Sequence, residues 1–290
     1  MALDSYLLQI LLTIGIGIIL AMGLTIITGL TGQLSLGHAA FMSIGAFSSA
    51  LLAIHTGLPY PLILLLSGLA SAVVAASIGW PILRLSGDYL AICTLGFAEI
   101  LKVVLLNLDF TNRALGLSVP AVTGGISLPF MVFVTALLVT LATAAIVHSR
   151  LGIALKAIRD DEIAAEASGI NLTRYKVSAF AIGGFMAGLG GSLYAHVISY
   201  INPSDFGFIK SIDILSMVVL GGLGSVPGTV LGATVLAALP ELLRFMAQYR
   251  MLVYGVLLVV MMVFRPSGLL GSVRFTTIIP LLKRRLGSSR

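Results

Sequence analysis

Apolar residues run almost without interruption along this chain, and the breaks between runs are set by glycine, proline and short charged clusters. No Asp, Glu, Lys or Arg occurs between Asp4 and Arg84. A bilayer-spanning helix needs only about 20 apolar residues, so that stretch alone has room for about three spans. Further charge-free runs lie between Arg113 and Arg150, Lys176 and Asp205, Asp213 and Glu241, and Arg250 and Arg265. The pattern predicts spans near residues 5–28, 34–54, 61–82, 89–108, 129–148 and 177–198. An interrupted segment at 212–239 and a last span ending near Phe264 follow. Backbone in lipid must satisfy its own hydrogen bonds, and the runs lack the alternating polarity of a membrane barrel, so each is read as helix. The expected fold is an all-α polytopic membrane protein, one permease-like domain over residues 1–290, with about eight transmembrane helices.

Composition strengthens this reading. Of 290 residues, 58% are hydrophobic and 10% charged, against about 45–50% and about 25% in soluble domains. The start, Met1-Ala2-Leu3-Asp4, has no positive segment ahead of its apolar run, so the first helix is expected to be retained rather than cleaved. The single cysteine, Cys93, permits no internal disulfide and is read as a small buried side chain. The net charge of +6 gathers in loops and at the C-terminus, which reports orientation rather than nucleic acid. Arg150, Lys156, Arg159, Arg174 and Lys176 place the loop 149–176 in the cytoplasm, and Arg265, Arg274, Lys283, Arg284, Arg285 and Arg290 place the tail 265–290 there too. Counting back puts Arg84 inside, 109–129 outside and the N-terminus outside. An even number of crossings must then separate loop from tail, so 212–239 either re-enters one face or makes two short crossings.

Two apolar segments are broken by glycine and polar residues: Gly29-Leu-Thr-Gly-Gln-Leu-Ser-Leu-Gly-His38, and Gly221 through Gly228. Irregular backbone at membrane depth persists only inside protein or along a wet cavity, and paired broken helices in transporters commonly face substrate. Gln33, Ser35 and His38, with Gly221, Gly222, Gly224 and Ser225, are thus candidate lining for a substrate path. The competing reading is close helix packing through glycine and interhelical bonds from Ser, Gln and His. Packing is the expected role of the run Gly183–Ser192. Glu99 and Lys102, three residues apart, are read as an ion pair or as charges reaching for an interface, ahead of a proton or substrate role.

Within the loop, residues 151–170 hold good helix formers, apolar Ile153, Leu155 and Ile158, and a stop at Gly169. Such a charged, helical segment suits a partner's groove better than it suits a simple connection. The loop resembles the coupling segment of ABC-importer permeases, Glu-Ala-Ala, three residues, Gly: Ala164, Ala165 and Gly169 match, and the acidic residue is displaced by one to Glu162. More specifically, Gly29 through Phe47 resembles the signature of the LivM-type permeases for branched-chain amino acids, and Ala154–Gly169 and Val219–Gly232 resemble that family as well. The likeness extends from about Gly23 to Gly268.

The resemblance implies an importer of leucine, isoleucine and valine in the cytoplasmic (inner) membrane. This chain would pair with a second, LivH-like permease, two cytoplasmic ABC ATPases and an extracytoplasmic amino-acid-binding protein. It also implies a coupling role for Glu162, Ala164, Ala165 and Gly169. No cofactor is expected in this chain, ATP and Mg belonging to the partner ATPases. The absence of any Gly-Lys dipeptide agrees, since the phosphate loop Gly-x-x-x-x-Gly-Lys-Ser/Thr cannot be built. The chain is therefore read as a transport subunit and not an enzyme, with no metal site. Other readings stay open: an ABC permease for urea or short amides, an autonomous ion-coupled carrier or channel, and an intramembrane hydrolase built on Ser225 and His196.

Overall fold

The computed structural model describes residues 2–83, 87–121 and 127–242, with residues 255, 256, 259 and 268 beyond them. The span expected to end near Phe264, the basic tail 265–290 and Arg84 lie outside the described residues. Helix α1 covers Ala2–Leu24 and widens into a π-helical turn, Thr25–Leu30. After an irregular stretch come α2 (His38–Thr56), α3 (Tyr60–Ile82) and α4 (Asp88–Asn107). Two short 3-10 turns lead to strand β1 (Leu117–Ser118), and α5 follows at Leu128–His148. The loop 149–176 folds as two helices rather than one, α6 (Arg150–Asp160) and α7 (Glu162–Ala167). The longest helix, α8 (Leu172–Ile198), leads to β2 (Tyr200–Ile201). Last among the described elements are α9 (Phe208–Gly221) and α10 (Val226–Leu242).

The residue types at each boundary account for these limits. Ser149, Asp161 and Asn171 cap α6, α7 and α8 by accepting hydrogen bonds from backbone amides that the first helical turn leaves unpaired. Asp161 is extended and caps with bonds of 2.9 and 3.0 Å to the amides of Ile163 and Ala164, which is why the loop bends there. At the far end of α8, β1 and β2 pair antiparallel, Leu117 opposite Ile201 and Ser118 opposite Tyr200.

Among the described residues, six helices are long and apolar enough to cross a membrane. They begin or end within a few residues of the six predicted spans, the largest difference being the start of α8 at Leu172 instead of 177. The bundle is organised around α8, along which α2 and α3 pack, with α1 against its other side. The run Gly183–Ser192 is the seam. A Cβ on Gly191 would run into the Met42 carbonyl, one on Gly188 would lie 2.6 Å from the Ser71 Cβ, and one on Gly184 would meet Ala75. Helices that close also exchange polar bonds: Ser71 donates to the Phe41 carbonyl at 2.8 Å, and Ser192 to Ser49 at 2.8 Å. Apolar residues left exposed, such as Val73, Ile92, Leu137 and Leu141, lie on α3, α4 and α5, the outer helices, where acyl chains are the natural cover. Cys93 belongs to this shell: it is partly exposed, because α4 buries little of its surface, so its expected burial is corrected. Glu99 and Lys102 form an ion pair at 3.3 Å.

Close packing at the seam sets a measurable contrast. Gly191→Val should lower the thermal stability of the detergent-solubilised protein by the about 1–3 kcal/mol of overpacking, or prevent folding. Gly96→Ala, where nothing lies within 4 Å of the added carbon, should be neutral or gain up to about 1 kcal/mol from helix propensity. Equal melting temperatures for the two variants would contradict this packing.

Candidate functional site

The end of α1 is where the backbone departs from the α-helical pattern. The π turn carries it to Thr31, the amide of Gly32 bonds back to the Thr28 carbonyl at 3.1 Å, and Gly32 takes a left-handed φ of +73°. Residues 32–37 have no regular helix, and α2 starts at His38. Other elements supply the bonds that this irregular backbone lacks. Thr94 of α4 accepts from the Leu36 amide at 3.1 Å, and Ser211 of α9 accepts from the Ala39 amide at 3.1 Å, capping α2. Thr25 and Thr229 of α10 share a hydrogen bond of 3.0 Å. Each fixes a different helix against the same short stretch.

The polar candidates sit inside this construction. Ser35 and His38 are fully buried and Gln33 is 7% exposed. His38 Nε2 lies 3.1 Å from the Leu20 carbonyl. Thr28 Oγ1, both side-chain polar atoms of Gln33, Ser35 Oγ and His38 Nδ1 are buried without a hydrogen-bond partner, and all fall within eleven consecutive residues, 28–38. Buried polar groups are nearly always paired, so this concentration sets residues 28–38 apart from the rest of the described interior.

The second set lies at the turn between α9 and α10. Gly221 packs on Gly228, and Gly232 packs on Met217 and Gly221, so the two helices run antiparallel in close contact. Gly222 and Gly224 have φ of +107° and +81°, and the Ser225 hydroxyl accepts from the Gly228 amide at 3.2 Å. A Cβ on Gly29 would lie 2.7 Å from the Gly224 nitrogen. The two glycine segments, nearly 200 residues apart in sequence, therefore touch at Gly29 and Gly224. Gln33, Ser35 and His38 belong further along the first segment, where Thr94 and Ser211 hold its backbone.

A residue not singled out for this site joins them. Arg159, at the end of α6, donates from Nη1 to the Gly29 carbonyl at 2.8 Å, and the same nitrogen is 3.3 Å from where a Cβ on Gly224 would stand. Its side chain also fills the space beside Gly32. The last carbonyls of a helix are unpaired and carry partial negative charge, so a guanidinium is a natural complement. That affinity of a loop cation for a helix C-terminus was the available signal; Thr94, Ser211 and Thr229 had none, being ordinary polar residues in apolar runs.

In the loop, Leu155 and Ile158 are buried, so of the three apolar residues singled out there only Ile153 is exposed, at 63%; Ile163 joins it at 82%. Ala164 is exposed and Ala165 is buried. Gly169 ends the segment with φ of +84° and open space around it. Glu162 pairs with Lys176 of α8 at 2.8 Å, the lysine 4% and the glutamate 40% exposed, and Lys156 donates to the Val147 carbonyl at 3.0 Å. The loop helices are thus bound both to the bundle and to the break.

Ser225 and His196 do not meet. His196 packs its ring 4.5 Å from that of Tyr60 and lies beside Ser49 and Ser192, near the β2 end of α8, whereas Ser225 belongs to the turn beside Gly29. The serine–histidine alternative has no geometric basis. Among the described residues no group of His, Cys, Asp or Glu is placed to hold a metal ion.

A helical, polytopic bundle whose interior backbone breaks are joined to a charged loop has the construction of a membrane permease. Residues 6–264 match the family described as the branched-chain amino acid transport system permease component, and the chain belongs to it. It is 38% identical to the high-affinity branched-chain amino acid transport system permease protein LivM of Salmonella typhimurium, over 94% of this chain and 71% of that protein. It is 30% identical to BraD of Pseudomonas aeruginosa, over 87% and 91%, and 26% identical to LivH of Escherichia coli, over 87% and 90%. No solved structure matched the chain.

The burial difference across Glu162–Lys176 predicts unequal losses. Glu162→Gln strands an ammonium that is almost fully buried, and should loosen α7 by about 2–3 kcal/mol. Lys176→Met leaves a glutamate that water can reach, and should cost about 1 kcal/mol or less. Hydrogen-exchange protection across residues 162–170 reads both, and the reverse order would contradict the arrangement.

Proposed function

We propose that this chain is the membrane-spanning permease subunit of an ATP-driven importer that carries branched-chain aliphatic amino acids across the cytoplasmic membrane by alternating access. Its partners are a second, LivH-like permease, two ABC ATPases that bind ATP and Mg, and an extracytoplasmic amino-acid-binding protein. The loop 149–176 and the tail 265–290 face the cytoplasm. The cargo follows the names of the relatives LivM, BraD and LivH, and their membership of both LivM and LivH lines supports pairing of two homologous permeases. At about 21 Å, α9 is shorter than the ~30 Å hydrocarbon core, which supports a re-entrant hairpin rather than two crossings. With six long spans and the last span near Phe264, this makes about eight membrane-inserted segments.

One observation carries the mechanism: the hydrogen bond from Arg159 to the Gly29 carbonyl. The ATPases dock on the exposed face formed by Ile153, Ile163 and Ala164, beside Glu162, Ala165 and Gly169. When they close on ATP they displace α6 and α7. Displacement of α6 moves Arg159, and with it the contact of Gly29 with Gly224, opening the passage between the two breaks. Gln33, Ser35 and His38 then offer their unpaired polar atoms to the ammonium and carboxylate of the cargo. Gly221, Gly222, Gly224 and Ser225 form the opposing wall.

Docking and transmission separate experimentally in reconstituted complexes. Ile163→Asp should abolish recovery of ATPase subunits with the permease. Arg159→Ala should leave that recovery intact while reducing ATP-driven leucine uptake about tenfold or more, the loss of one charge-assisted hydrogen bond. Unchanged uptake in Arg159→Ala would remove the bond from the mechanism.

A further inference from the structure

A cavity of about 320 Å³ lies between α1, α8, α9 and α10, at the small end of the ~300–1,000 Å³ typical of ligand sites. Ile16 and Leu20 of α1, Ile214 and Met217 of α9 and Leu236 of α10 give it aliphatic walls. Among the described residues two charged side chains also line it, Lys210 and Asp213. They are three residues apart and so share one face of α9. Asp213 and Asp205 attract the Lys210 ammonium, which stands 5.1 Å from the centre of the Tyr194 ring in a cation–π arrangement. Charged groups inside a bundle that faces lipid are costly and mark function by default. On α9 its lining runs from Lys210 to Met217, short of the glycine turn that follows Gly221, and on α1 it reaches Leu20, whose carbonyl meets His38 of the first break.

One cation and one anion on an aliphatic surface form the complement of a zwitterion with an apolar side chain. We propose that the cavity is a subsite that receives an aliphatic α-amino acid on the β1/β2 side of the permease. The α-carboxylate is held by Lys210, the α-ammonium by Asp213, and the side chain by Leu20, Ile214 and Leu236. A short neutral amide would leave the aliphatic wall unmatched. The proposal rests on the reading of the chain as an amino acid permease.

The test uses the assembled transporter in nanodiscs with photo-leucine, a diazirine analogue, and peptide mapping of the label. Label is expected on α9 or α10, at Met217 or Leu236, suppressed by excess leucine and not by urea. Lys210→Met should cut that labelling and raise KM for leucine uptake about tenfold or more, with Lys210→Arg restoring much of both. If Lys210→Met fails to reach the membrane, Asp213→Asn gives the same readout. Label that leucine does not displace, or a cavity labelled only by a lipid diazirine, overturns the subsite. Normal leucine uptake with no label in the cavity overturns the subsite and leaves the permease reading standing. Uptake of urea but not leucine by the unaltered assembly overturns both.

Discussion

Backbone that leaves the helix inside a membrane must find hydrogen bonds within the protein, because lipid offers none. In this chain that requirement falls on residues 29–39, and three separate elements answer it, Thr94 of α4, Ser211 of α9 and Arg159 of α6, while Thr229 of α10 bonds the Thr25 side chain at the start of the break. A break stitched in this way cannot relax alone. Any movement of its backbone changes the bonds of α4, α6, α9 and α10 together, so a local irregularity acts as the junction of the whole bundle. The seam on α8 has the opposite character. There glycines let α2 and α3 approach until a single added carbon would collide with backbone, giving the break a rigid support to move against.

The sequence was most informative where one strong physical rule acts along the chain. Lipid solvation demands long apolar helices, and five of the six spans followed from charge-free runs, the fourth, which carries Glu99 and Lys102, from a run that is apolar around that pair, all with errors of a few residues. The seam at Gly183–Ser192 was legible because small residues at four-residue spacing have few other uses in a membrane helix. Helix caps were partly legible: Gly169 was identified as a stop, but Asp161, whose side chain ends one helix and begins the next, was read as part of a single segment.

Long-range pairing was not legible. Gly29 and Gly224 each announced an irregular segment, yet nothing in either identified the other as its neighbour. Arg159 was counted as one loop cation among five, because positive charge near a membrane is explained by orientation alone. Only geometry shows that this guanidinium, though its side chain stays 40% exposed, reaches a helix C-terminus. The apolar residues of α6 illustrate the same limit. Leu155, Ile158 and Ile153 are chemically alike, and the turn of the helix against the bundle decides that the first two are buried and the third exposed.

The most economical account of the architecture runs through α9. Its first half carries Lys210 and Asp213 on a cavity wall, its Ser211 caps α2 beside the break, and its C-terminal turn touches Gly29. A helix of fourteen residues is a rod of about 21 Å, short enough to move as one body. Charges brought to its first half therefore act on a rod whose following turn, at Gly224, lies beside Arg159. Linkage between two such ends is reciprocal: a ligand that shifts the rod alters the contact with α6, and a displacement of α6 alters the cavity. Because Ser211, in the first turn of that rod, is bonded to the Ala39 amide at the start of α2, a shift of the rod also disturbs the backbone beside Gln33, Ser35 and His38.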